Sequence, residues 1–370
     1  MQDAERPELA RDLARDLERP RRLLARVARS FGLGGPGLGR RRGPRRALPF
    51  LALGALGLTA VQGDLGDPEP SLPASFVEVD PLAGELPLEV NERVEKWMRR
   101  FMTDQRKTFE TFLSREGTYA PLIRAKLRER GMPEDILYLA MIESGFSPRA
   151  TSHVGAGGVW QFMRPTAKEY GLRMDHWVDE RRDPIKATDA ALDYLTMLHD
   201  RYDSWYMAAA AYNAGYGRVD RALKKHEAAC AARARAAARR GQIAQTCLAS
   251  GGESLYWEII DQLPRETRDY VPKIIAATAL AREAERYGFR VERAASPYDF
   301  ERVWVPGATR LSSVAREVGI DVDLLKDLNP HLVRGVTPPG TSYGLRVPVG
   351  WTEQVMVALS GSSAASRAAD

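Results

Sequence analysis

Along residues 88–128 apolar side chains return every three or four positions: Val90, Val94, Trp97, Met98, Phe101 and Met102, then further helical patterns over 108–112 and 122–127. That spacing gathers them on one face and predicts packing helices. The next run is different. Ile136, Leu137, Leu139, Ala140 and Ile142 are apolar almost all round, as in a helix buried on every side, with Pro133, Glu134 and Asp135 in its first turn and Gly145 and Pro148 at its end. Asp183 and Pro184 open another helix, Asp183 as its cap, carrying Ala191, Tyr194, Leu195 and Leu198. A third apolar helix covers roughly 205–212 and stops at Asn213 and Gly215, and an amphipathic one covers about 270–287, with Pro272 in its first turn and Gly288 as its stop.

From residue 300 onward the period shortens. Apolar strands at 302–305 and 343–347 bracket two short helical patterns at 311–318 and 322–328, a strand, helix, helix, strand unit within 296–351. Residues 352–370, rich in Ser and Ala, read as a disordered tail. The expected class is mainly α: a helical domain over 88–292, followed by a small α+β domain.

Charge and composition change the picture mostly at the N-terminal end. Residues 1–46 hold thirteen Arg and six acids and read as a disordered Arg-rich extension. The chain as a whole carries a formal +5, so everything beyond residue 46 is slightly acidic, which argues against a nucleic-acid binder. Residues 47–61 are apolar and uncharged behind five arginines, so 47–62 reads as an export signal, cleaved, or as an uncleaved membrane anchor. Either form takes the chain to the periplasm or cell envelope. Residues 63–87, broken by Pro and Gly, read as a linker, and 222–249 as an Ala/Arg-rich insertion forming a solvated helical hairpin. The chain's two cysteines, Cys230 and Cys247, lie in that insertion, and in an exported protein a disulfide between them is chemically allowed. The five histidines show no ligand spacing and there is no phosphate-binding Gly-rich loop with Lys and Ser or Thr, so neither metal nor cofactor is expected.

The candidate chemistry centres on Glu143, which closes the all-apolar helix just before Ser144 and Gly145. Burial opposes ionisation, so this carboxyl is expected to stay protonated toward neutral pH and to serve as a general acid. Behind it comes a Gly-rich segment, Ser152 to Met163, then Ala211, Tyr212, Asn213, Ala214 and Gly215, then Glu266, Thr267, Arg268, Asp269, Tyr270, Val271 and Pro272.

These motifs, in this order over residues 86–292, resemble the lytic murein transglycosylases of the lysozyme-like superfamily, most of all the membrane-bound D type. The resemblance implies a goose-type, soluble lytic transglycosylase-like catalytic fold and cleavage of the β-1,4 bond between N-acetylmuramic acid and N-acetylglucosamine, leaving a 1,6-anhydro product. It implies that Glu143 is the general acid and base, with Tyr212 supporting catalysis. Ser144, Ser152, Gln161, Met163, Asn213 and Glu266 fall on its substrate cleft. Peptidoglycan strands are then the partner, with membrane association through 47–61. The C-terminal unit resembles a LysM module in Leu311 to Ala315, Gly319, Leu324, Leu328, Asn329, Pro330, Leu345, Val347 and Pro348; where that module usually reads Gly-Asp-Thr, this chain has Gly307, Ala308 and Thr309. That departure weakens the expectation of glycan binding and leaves a structural cap as the alternative.

Overall fold

The structure, a computed structural model, describes residues 86–241, 252–291 and 296–367, with side chains as far as residue 359. The calls on 1–46, 47–62 and most of 63–87 lie outside the described residues, as does Cys247, so the Cys230–Cys247 bridge lies outside them as well. Among the described residues no helix is long and apolar enough to cross a membrane.

Helix α1 (Glu92–Met102) is capped by Asn91, whose side chain accepts from the Arg93 and Val94 amides, and buries the predicted stripe of Val94, Trp97, Met98, Phe101 and Met102. The two patterns that follow are one 24-residue helix, α2 (Arg106–Glu129), with Pro121 inside it. A 3-10 turn at Glu134–Ile136 leads into α3 (Leu137–Ser144), in which Leu137 through Met141 are all buried. A short helix, α4 (Arg164–Glu169), is followed by α5 (Pro184–Tyr202), with Asp183 accepting from the Ile185 and Lys186 amides at 3.0 and 3.3 Å. Helix α6 (Trp205–Ala214) is capped from two sides: Ser204 accepts from Met207, and the Glu253 carboxylate accepts from the Trp205 and Tyr206 amides at 2.9 and 2.7 Å. Acceptors placed there satisfy the amides a helix start leaves open.

Of the Ala/Arg-rich stretch expected as a helical hairpin, the residues beyond 241 lie outside the described ones. Its first half belongs to one helix, α7 (Tyr216–Arg239), which buries Val219, Ala222, His226 and Cys230 in a narrow stripe and leaves its later turns exposed. Small residues and one imidazole supply the buried face, which is why no apolar periodicity announced it. After α8 (Ser254–Ile259) comes α9 (Arg265–Arg282), which starts five residues earlier than the pattern suggested. Pro272 is therefore in the helix interior, where it deprives the Arg268 carbonyl of its amide partner. The Tyr256 hydroxyl stands 3.1 Å from that carbonyl and 3.2 Å from that of Thr267, so the orphaned acceptor finds a donor. Helix α9 packs against α1, α6 and α3.

In the C-terminal unit β1 (Glu301–Val305) and β2 (Tyr343–Val347) pair antiparallel, with Val303 opposite Leu345, and bracket α10 (Leu311–Val318) and α11 (Val322–Leu328). The tail read as disordered is instead helix α12 (Thr352–Arg367). Val355 is fully buried and Leu359 packs on the same small core, two anchors that hold a Ser/Ala-rich segment the composition alone assigned to solvent. Val178 of the helical domain also belongs to this second core.

Candidate active site

Glu143 occupies the last turn of α3, and the chain must turn away sharply behind it. Gly145 does this with φ +58°, its amide returning to the Met141 carbonyl at 2.7 Å. A Cβ at Gly145 would run into the Phe112 ring, so left-handed backbone and close packing both demand glycine there. The Glu143 side chain is partly accessible, although the helix that carries it is buried from Leu137 through Met141. Burial is the main cause that pushes its pKa up to about 7; Glu266 adds to the rise, while a hydrogen bond from the Tyr270 hydroxyl and the charge of Lys273 oppose it.

Tyr270 donates directly to Glu143 Oε1. The sequence reading quoted this residue in its motif but gave it no role, since a tyrosine on an apolar helix reads as core and Tyr270 is in fact buried. The available signal was its spacing from Glu266: four residues along α9, on the same face. Glu266 itself is exposed. Tyr212 is close enough that the Glu143 charge helps raise its phenol, after burial, well above the ordinary value. Its hydroxyl donates to the Trp160 carbonyl at 2.8 Å, so Tyr212 pins the glycine-rich loop beside the acid.

That loop is a miniature antiparallel turn. Gly157 and Phe162 exchange both backbone hydrogen bonds, at 3.0 and 3.1 Å. Ser144 donates to the Val159 carbonyl at 2.8 Å and accepts from the Ser147 amide at 3.0 Å, so its hydroxyl joins the end of α3 to the loop. Gln161, at φ +48°, donates to the Gly158 carbonyl at 2.9 Å, and Ser152 accepts from the Ala156 amide at 3.0 Å. Met163 is exposed at the end of the loop. Trp160 and Phe162 are core, the former donating its indole N–H to Thr188 at 2.9 Å. Asn213 accepts from Thr267 at 2.8 Å and so joins α6 to α9. The structure thus gathers Tyr212, Tyr270 and Glu266 around Glu143 and ties Ser144 and Gln161 into the loop beside them. Ser152 and Met163 share that loop and have no described contact with Glu143.

The arrangement is thus a helical domain in which one acid closes a buried helix, flanked by a glycine-rich loop and two phenols and followed by a two-stranded unit. Residues 121–233 match the transglycosylase SLT domain, and residues 299–364 match the LysM-like domain of lytic transglycosylase MltD. The chain therefore carries an SLT-type domain with an MltD-type LysM-like domain behind it. It is similar to the membrane-bound lytic murein transglycosylase D of Escherichia coli strain K12, 29% identical over 279 residues, which cover 75% of this chain and 56% of that protein. It is also similar to the peptidoglycan transglycosylase gp16 of Escherichia phage T7, 38% identical over 104 residues, 27% of this chain and 8% of that one. The chain thus spans little more than half the length of the first relative. Among solved structures, the 70 kDa soluble lytic transglycosylase of Escherichia coli aligns at 20% identity and a TM-score of 0.35, covering 54% of this chain and 32% of that one.

Proposed function

We propose that this protein is a peptidoglycan lytic transglycosylase that uses Glu143 alone as acid and then base. The observation that carries the reading is the Glu143 carboxyl held at a pKa of about 7 by burial, with the Tyr270 hydroxyl on one of its oxygens. Such a group is half protonated near neutral pH and can work in both directions. Protonated Glu143 gives its proton to the glycosidic oxygen as the bond to the muramoyl C1 breaks, and the 2-acetamido group of the same sugar stabilises the cation that develops. The carboxylate left behind takes the proton of the C6 hydroxyl as that oxygen bonds to C1 and closes the 1,6-anhydro ring. The nucleophile is tethered to its own electrophile, so no water has to be held and activated.

Tyr270 steadies the ionised form of Glu143, and Tyr212 positions the loop through the Trp160 carbonyl. Ser152, Gln161, Met163 and Asn213 line the saccharide cleft. The relatives' printed names support an envelope location, with residues 47–61 as export signal or anchor and the LysM-like unit facing the glycan. Mass spectrometry of muropeptides released from purified sacculi tests the reading. Anhydro products are expected from the wild type, and Glu143→Gln should lower their release by at least about 100-fold. A Glu143→Gln variant as fast as the wild type would overturn it.

One observation favours a second reading. The Glu266 carboxylate is near enough to act on Glu143 and is exposed, so it could hold a water for hydrolysis. Products heavier by one water than the anhydro sugar would establish that reaction instead.

A further inference from the structure

Two carbonyls of the glycine-rich loop end on one guanidinium. Arg181 Nη1 donates to the Gly155 carbonyl at 2.7 Å and to that of Phe162 at 3.0 Å, while its Nε and Nη2 donate to the two carboxylate oxygens of Asp179 at 2.9 and 2.7 Å. Both side chains are almost fully buried, 4% and 10% exposed. The glycines make this approach possible. A Cβ on Gly158 would fall on the Arg181 carbonyl, and one on Gly157 would stand 3.1 Å from the guanidinium carbon. A planar fork fixes two acceptors at once in a way that an ammonium does not.

The other side of the same segment belongs to the C-terminal unit. The Asp179 amide donates to the His331 carbonyl at 2.9 Å, and the Val333 amide to the Trp177 carbonyl at 3.1 Å. Arg334 Nε donates to the His176 carbonyl at 3.1 Å. Arg346, on β2, donates to Asp183 Oδ2 at 2.6 Å in a pair that is 5% and 2% exposed. Asp179 is therefore held twice: its backbone by the LysM-like unit, its carboxylate by the arginine that grips the loop.

We propose that residues 174–183 form a strap through which the LysM-like unit holds the glycine-rich loop in register, with Arg181 as the positioning residue. The proposal rests on the transglycosylase reading for its kinetic consequence and not for its structural one. The loop carries positive φ at Gly155, Gly158 and Gln161, so an untied chain there has many other conformations to visit. A wall tether raises only the local concentration of an insoluble substrate, whereas a brace acts on every substrate, including one too short to reach the LysM-like unit.

Hydrogen exchange followed by mass spectrometry on the full chain, wild type against Arg346→Gln, tests the structural half. Peptides over 150–163 are expected to exchange about 10-fold faster in the variant while those over α2 keep their protection. Unchanged protection of the loop overturns the strap whether or not the protein is active. Should Arg346→Gln unfold the chain as a whole, Arg334→Ala removes the two exposed contacts with His176 and gives the same local reading, with a smaller loosening expected. The kinetic half uses a soluble tetrasaccharide of alternating N-acetylglucosamine and N-acetylmuramic acid and the Arg181→Lys variant. A rise in KM of about 10-fold together with a lower kcat is expected, since the cleft-lining loop is displaced. A mere loss of folded protein lowers the apparent kcat and leaves KM alone, and that result overturns the positioning role. A wild type that turns over neither tetrasaccharide nor sacculi counts against the transglycosylase reading, while the exchange result still decides the strap.

Discussion

Two carboxyl groups in this molecule are taken out of water and meet opposite fates. Glu143, in the last turn of α3, is pushed up to about 7. Asp183, on the seam between the helical domain and the LysM-like unit, is 1% exposed and yet held below the usual carboxylate range. Burial acts on both in the same direction. Asp183 escapes it because the Arg346 guanidinium lies against it, with His331 and the Lys186 amide adding to the effect, whereas Glu143 has a neutral phenol as its donor, with the charge of Lys273 lowering its pKa and that of Glu266 raising it. The difference between these two lies in the cation: Asp183 has a guanidinium against it, and Glu143 has a neutral hydrogen-bond donor instead. The seam neutralises its buried acid with a cation, and the end of α3 does not, a state that suits the acid role proposed for Glu143.

The largest effect expected from breaking this contrast lies at the seam. Asp183→Asn keeps a side chain able to cap α5 but leaves Arg346 buried without its counter-charge, which costs about 3–5 kcal/mol. Because the Asp183 carboxyl is shifted down, its contribution is fully present above the unfolded value near 3.8 and is lost only as pH falls through the lower folded value. Chemical denaturation of wild type and variant at pH 7 should show the full deficit, and at pH 3 a smaller one. Equal deficits at both values would mean that charge is not what the pair contributes.

At the cleft the sign reverses. A carboxyl whose folded pKa lies above its unfolded one binds its proton more tightly in the native state, so stability falls as pH rises between about 4.5 and 7 and is level above that. At about 1.4 kcal/mol per tenfold difference in proton affinity, the penalty at pH 8 is at most about 3.5 kcal/mol. Glu143→Gln removes it. The variant should be more stable than the wild type at pH 8 and indistinguishable from it at pH 4, as followed by denaturant midpoints. Equal midpoints at pH 8 would mean that the native state does not strain this group.

How far the sequence disclosed these two regions differs for a physical reason. Glu143 stood out because of the motifs behind it; a carboxylate ending an apolar helix is by itself more often one half of an ion pair. The strands and helices of the LysM-like unit were legible because Gly, Asp and Pro punctuate each short element. The seam was not. Asp179, Glu180, Arg181, Arg182 and Asp183 are five charges in a row, which reads as a solvated face, yet four of the five are buried: Asp179 and Arg181 pair with each other, Arg181 also with the loop carbonyls, Glu180 with Lys186 and the Arg173 amide, and Asp183 with Arg346. Only Asp183 was singled out in advance, as a cap. The helix start at Arg265 and the docked helix after residue 351 were missed for a related reason: each depends on a partner far along the chain, Tyr256 for the carbonyl Pro272 leaves open and the small core for Val355.

The smallest and most discriminating change is at Tyr270. Its hydroxyl donates to Glu143, which favours the ionised carboxylate and so works against burial. Tyr270→Phe keeps the ring and removes only that donor, so the Glu143 pKa should rise above about 7. Two consequences pull apart. The alkaline limb of the rate profile, where the acid loses its proton, should move to higher pH, while the rate on the plateau should fall about 10-fold because the carboxylate formed at the moment of bond cleavage has lost a stabilising donor. A tyrosine that only filled space would lower the rate, if at all, without moving the limb. Release of anhydro-muropeptides measured between pH 5 and 9 separates the two, and a limb shifted to lower pH in Tyr270→Phe would mean that the phenol acts on the neutral acid and not on its anion.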